Sequence, residues 1–129
     1  IHLTLRTEEE ETLDGLIDTI RIKAEKLAIR DQLSFSYSFT DRFPETKNAA
    51  FSVDAVKAAV DALSYPLFEM TAPFLPSEDF GYYLKETNGA MFYLGNGVDY
   101  PMLHDERYDF LDSHIERACS IFLKLLELG

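Results

Sequence analysis

SEDFGYYLKETNGAMFYLGNGVDYPMLHDERYDF, residues 77–110, reads as a capped helix, an apolar run, a glycine turn and a loop holding one histidine. Ser77 is a favourable N-cap, and Glu78 and Asp79 put negative charge where a helix dipole stabilises it. Asn88-Gly89 stops that helix. Ala90-Met91-Phe92-Tyr93-Leu94 is continuous, apolar and of strand length, which predicts a buried strand. Gly95-Asn96-Gly97 then opens a loop with His104 between Leu103 and Asp105. A histidine on a loop just beyond a buried strand is where α/β proteins tend to place functional groups.

Toward the N-terminus the patterns are clearer. His2 to Arg6 alternates and predicts a short strand. Thr7 with Glu10 three residues later makes a capping box, and Glu8 to Glu11 sit on the positive end of the helix they open. Consecutive helical residues fan out around the axis, so the four glutamates read as a solvated first turn and not as a metal site. Leu13, Leu16, Ile17, Ile20, Ala24, Leu27 and Ala28 follow helical spacing to about Ile29. Leu33, Phe35, Tyr37 and Phe39 then alternate with Ser34, Ser36, Ser38 and Thr40, predicting a strand over 33–39 with one aromatic and one hydroxyl face.

Residues 42–48 break the periodicity around Pro44 and divide the chain into a first part, 1–41, and a second, 49–129. Ser52 or a neighbour caps a helix with the stripe Val53, Val56, Val60 and Leu63. Residues 67–72 make a weaker strand. A last helix, from about Asp112, buries Ile115, Ala118, Cys119, Phe122, Leu125 and Leu126. The expected fold class is α/β: a strand-helix-strand piece, then helix-strand-helix-strand-helix. Two strands are too few for that many helices, so the sheet is expected to gain strands from outside this chain.

The chain has 129 residues, 47% of them apolar, enough for a core. Its net charge of -11 argues against nucleic acid or an anionic membrane as partners. No apolar run approaches the ~20 residues that cross a membrane. The single cysteine, Cys119, excludes an internal disulfide and fits a reducing compartment, so a cytoplasmic location is expected.

Three motifs carry a family resemblance. They are Ser-Glu-Asp-Phe-x-Tyr-Tyr, Gly-Ala-x-Phe-x-Leu-Gly, and Tyr-Pro-x-Leu-His-x-x-x-x-Asp-Phe. In this order they resemble the C-terminal signature of N-acyl-amino-acid amidohydrolases, the hippurate and auxin-conjugate hydrolases of the carboxypeptidase-related metallopeptidases. Thr4-Leu5-Arg6-Thr7 resembles the strand of that family's lid, and Arg42-Phe43-Pro44-Glu45-Thr46-Lys47-Asn48 the return to the catalytic domain. The resemblance implies that 1–41 belong to a lid and dimerisation domain, 42–48 to a linker, and 49–129 to a catalytic domain. The family's Cys-x-His pair, adjacent glutamates and further histidine are not found among these residues. The expectation is therefore a C-terminal piece of a longer, homodimeric, zinc- or manganese-dependent amidohydrolase, itself inactive. Its implied substrate is an N-acyl amino acid or a dipeptide-like amide. The alternative is a free-standing α/β module that binds a partner through an exposed strand edge.

Each candidate site residue has two readings. His104 is a hydrogen-bonded structural histidine or, by resemblance, the family's last metal ligand, with Asp105 and Asp109 placed to orient it. One histidine does not hold a catalytic ion alone, since such a site needs three or four protein ligands. Glu78 and Asp79 compensate a helix dipole or lie at the rim of the active site. Pro76 stands where many relatives have glycine. Arg6 makes a surface ion pair of about 0–1 kcal/mol, or clamps a substrate carboxylate bidentately, as the resemblance implies. Cys119 is expected in the core, and His2 and His114 are assigned no role.

Overall fold

The computed structural model describes residues 1–74 and 76–128. Among them the regular structure is entirely helical: α1 (Glu10–Arg30), α2 (Ala50–Ala62), α3 (Phe80–Glu86) and α4 (Ser113–Leu128), with no strand. The expectation of an α/β fold is overturned. A strand exists only through its ladder, and residues 2–6, 33–39, 67–72 and 90–94 find no strand to pair with. Alternation fixes which side chains share a face, and that part survives. Phe35 stacks on Tyr37 at 5.9 Å, and Tyr37 meets Phe39 edge-on at 5.5 Å.

The chain forms two compact units, Ile1–Lys47 with Met70–Glu86, and Asn48–Glu69 with Thr87–Gly129. In the first, the capping box at Thr7 does not form. The N-cap of α1 is Glu9, and the Thr7 hydroxyl donates to the Glu9 carbonyl at 2.8 Å. The Glu10 N–H instead donates to the Glu45 carboxylate at 3.0 Å. A distant side chain thus supplies the negative charge that the first turn favours. At the other end Gln32 turns left-handed at φ 55°. Its N–H reaches the Ile29 carbonyl and that of Leu33 the Ala28 carbonyl, the two bonds of a Schellman motif.

In the second unit α2 packs against α4, and Ala59, Val60, His114 and Ile121 are buried. Ser52 lies inside α2, whose N-cap is Ala49; the Ala49 N–H donates to the Gly89 carbonyl at 2.9 Å. Beside it the Asn48 amide grips Met91 from both sides. Nδ2 donates to the Met91 carbonyl at 2.9 Å, and Oδ1 accepts the Met91 N–H at 2.8 Å. One side chain therefore gives the apolar run 90–94 the pair of bonds that a neighbouring strand would have given.

The buried line of α4 is His114 and Ile121, with Ala118 half-buried. Ile115, Cys119, Phe122 and Leu126, expected inside, are exposed. They lie one position round the helix, about 100° from the buried line. α4 has apolar residues on a wider arc than α2 covers, so periodicity alone picks the wrong half.

Two glycines differ in what surrounds them. A Cβ on Gly81 would lie 2.7 Å from the carbonyl oxygens of both Pro44 and Glu45, whereas one on Gly15, inside α1, would meet nothing. Gly15→Ala is expected to stabilise the chain by about 0.5–1 kcal/mol. Gly81→Ala is expected to destabilise it by about 1–3 kcal/mol. Urea unfolding followed by circular dichroism checks both signs; a stabilising Gly81→Ala would contradict the close approach.

Candidate functional site

In the first unit, Arg6 and the Ser-Glu-Asp segment come together across the sequence. Arg6 Nη1 donates to Ser77 Oγ at 2.8 Å. Ser77 is thus engaged by a guanidinium rather than capping α3, which starts three residues later at Phe80. Glu78 is half-buried and Asp79 exposed; the Asp79 carbonyl accepts the Tyr82 N–H at 2.9 Å. So two of the residue groups chosen from sequence are neighbours.

Charged groups fasten this segment to the start of α1. Lys85 Nζ lies 2.8 Å from Glu10 Oε2 and 3.9 Å from Glu45 Oε1. Arg42 pairs with Asp14 and lies 4.0 Å from Glu10, and the Tyr82 hydroxyl donates to the Arg42 carbonyl at 2.8 Å. The hydrogen bond from Lys85, and then its charge, hold the Glu10 carboxyl below its ordinary value of 4.5. The same pairing raises Lys85. These groups are exposed or only half-buried, so their value lies in fixing geometry more than in stability.

In the second unit His104 sits at the tip of a tight turn. The Asp105 N–H donates to the Met102 carbonyl at 3.0 Å, and His104 has φ 74°. That is the third position of a type II-like turn, which glycine or asparagine usually fills. A histidine there costs on the order of 1–3 kcal/mol of strain, and such strain gathers at functional sites. The His104 side chain is exposed. Asp105 and Asp109 are turned to other uses. Arg107 binds the Asp105 carboxylate at 3.0 and 2.9 Å and lowers its pKa, while Asp109 Oδ1 accepts the Phe110 N–H at 2.9 Å. Tyr100 braces the loop, donating to the Asp109 carbonyl at 2.8 Å and meeting Tyr108 edge-on at 5.9 Å.

His114 was passed over in the sequence, yet it is the one buried polar side chain among the described residues, at 6% exposure. Its Nε2 lies 2.5 Å from Asn96 Oδ1, and its ring meets Phe110 edge-on at 6.3 Å. Nδ1 is buried without a hydrogen-bond partner among the described residues. Its seven-residue spacing from Ile121 was the available signal; nothing in the sequence marked Asn96 as its partner.

Among the described residues no three His, Cys, Asp or Glu side chains converge on a point where an ion would sit. The donor set does not fit a complete metal centre, and His104 offers one imidazole where three or four ligands are needed.

A fold of helices alone does not define a function. The chain matches Peptidase family M20/M25/M40 over residues 4–128 and belongs to that family. It is therefore a member of a metallopeptidase, and so hydrolase, family whose enzymes are typically metal-dependent. No curated protein and no solved structure is a significant match to it.

The charged cluster sets a pH dependence. Because Glu10 is lowered in the folded chain, its contribution is present above its unfolded value of 4.5 and is lost as pH falls through the lower folded one. The Glu10 carboxyl carbon shift in NMR is expected to titrate below the ordinary range. In Lys85→Met it is expected to return toward 4.5. An unchanged titration in that variant would remove Lys85 as the cause.

Proposed function

We propose that this chain serves in the hydrolysis of the amide bond of N-acyl amino acids or dipeptide-like substrates, and that Arg6 receives the substrate's free carboxylate. The observation that carries this reading is the 2.8 Å hydrogen bond from Arg6 to Ser77, which seats the guanidinium against the Ser-Glu-Asp segment. A guanidinium is planar and permanently charged, and its fork matches the two oxygens of a carboxylate. Glu78 and Asp79 then lie at the rim of the same site. Membership of the metallopeptidase family supports the amide chemistry, and the motif resemblance supports this substrate class.

His104, held at a strained turn tip and open to solvent, contributes one imidazole to a divalent ion, zinc or manganese. The remaining ligands and a general base come from elsewhere, so the 129 residues alone are expected to be inactive. No chemical step is assigned to them. The chain acts as a homodimer in the cytoplasm; its single cysteine fits the reducing compartment.

Two measurements test this reading. N-benzoylglycine and its methyl ester are titrated into the chain and followed by NMR. Arg6→Ala is expected to weaken binding of the acid by roughly ten- to a hundredfold and leave the ester unchanged. Equal losses for acid and ester would remove the carboxylate role. Calorimetric titration with zinc or manganese is expected to reveal no stoichiometric micromolar site. A tight site lost in His104→Ala would show that these residues assemble a metal centre by themselves.

A further inference from the structure

The asparagines Asn48, Asn88 and Asn96 sit in three different chemical settings. Asn48 is held on both sides by Met91, and the N–H that follows it, on Ala49, donates to the Gly89 carbonyl at 2.9 Å. Asn88 and Asn96 each precede a glycine. The N–H groups of Gly89 and Gly97 make no hydrogen bond among the described residues. Asn88 is exposed, and its side chain makes none among them either. Asn96 is half-buried, and its Oδ1 lies 2.5 Å from His114 Nε2. His114 Nδ1 is buried without a partner among the described residues, so the single proton of the neutral ring belongs on Nε2. Nε2–H therefore donates to Asn96 Oδ1.

We propose that Asn96 is a site of spontaneous deamidation, promoted by the hydrogen bond from His114, with aspartate and isoaspartate as its products. The Gly97 nitrogen forms a bond to Asn96 Cγ, and the carbonyl electrons move onto Oδ1. The Nε2–H of His114 already faces that oxygen, so the developing negative charge is met without reorganisation. The carbonyl then re-forms as the Cγ–Nδ2 bond breaks. The proton lost by the Gly97 nitrogen ends on the departing nitrogen, ammonia leaves, and a cyclic imide remains. Water opens the imide at either carbonyl. One opening gives aspartate; the other gives isoaspartate, whose main chain runs through the former side-chain carbons.

The surroundings favour the attack. Gly97 is exposed at φ 101°, so no side chain shields its nitrogen and water reaches the imide. A Cβ on Gly95 or Gly97 would meet nothing within 4 Å, which leaves the segment room to move. His114 is held in α4 at 6% exposure, so its N–H does not swing out to solvent. The product also changes the site. A carboxylate replaces the amide opposite Nε2–H, and the hydrogen bond becomes charge-assisted and stronger. Isoaspartate lengthens the main chain by one carbon ahead of the loop that carries His104. The reaction is thus a slow, one-way timer built into the second unit.

The test follows the asparagine side-chain amide signals by NMR in the isotope-labelled full chain, held warm at neutral pH. Removing one donor from a pre-formed oxyanion site costs on the order of a hundred- to a thousandfold in rate. At this half-buried position the Asn96 signal is expected to fade about tenfold faster than that of Asn88. Asn48 is expected to last longest. Labelling with an isoaspartyl methyltransferase, followed by mass spectrometry, is expected to find isoaspartate at position 96. In His114→Phe the Asn96 rate is expected to fall to that of Asn88, with helices retained in circular dichroism. Where that variant loses its helices, the unaltered chain in urea takes its place. With His114 displaced there, the two asparagine–glycine pairs are expected to react at equal rates. An Asn96 signal that fades no faster than that of Asn88 in the folded chain would overturn the proposal. So would an Asn96 advantage that persists in a folded His114→Phe chain or in urea.

Discussion

Every buried backbone N–H and C=O needs a partner, and this chain meets that demand almost entirely inside helices. α1, α2 and α4 satisfy their own interiors, and Schellman bonds close α1 and α2 at their C-termini. Elsewhere the partners are single side chains. Glu45 takes the Glu10 N–H at the head of α1, and Asn48 takes both backbone groups of Met91. These local solutions stand where a sheet would otherwise be. They also leave little buried among the described residues, with Ala28 and Gly81 in the first unit and Ala59, Val60, His114 and Ile121 in the second.

The helices were legible because they carry their periodicity within one segment. α1 ends at Arg30 where its stripe predicted Ile29, and the helix after Ser77 stops before Asn88-Gly89. Strand patterns were legible only as faces. The ring stack from Phe35 to Phe39 is what alternation predicts, but alternation says nothing of whether a second strand is present. Caps failed for a related reason. Thr7 and Ser52 are good local choices, yet a carboxylate 35 residues away and a carbonyl across the unit were better placed. In α4 the apolar residues span a wide arc, and which half is buried depends on α2.

The candidate site was legible in part. Arg6 and Ser77 stood out as separate motifs, and their contact spans 71 residues that no local pattern bridges. His104 stood out for its loop, but its positive φ and the commitment of Asp105 to Arg107 are facts of the turn. His114 and Asn96 were missed, since no neighbour in the sequence supports a role for His114 and nothing there marks Asn96 as its partner. The chain belongs to a metallopeptidase family, and among the described residues no cluster of donors forms a metal centre.

Amide hydrogen exchange on the dilute chain tests most directly whether backbone pairing is confined to helices and single side-chain grips. The interiors of α1, α2 and α4 are expected to exchange slowly, and residues 2–6 and 67–72 at rates near those of an open chain. Slow exchange throughout 2–6 and 67–72, in alternate residues as a ladder produces, would show a sheet and contradict a fold built from helices alone.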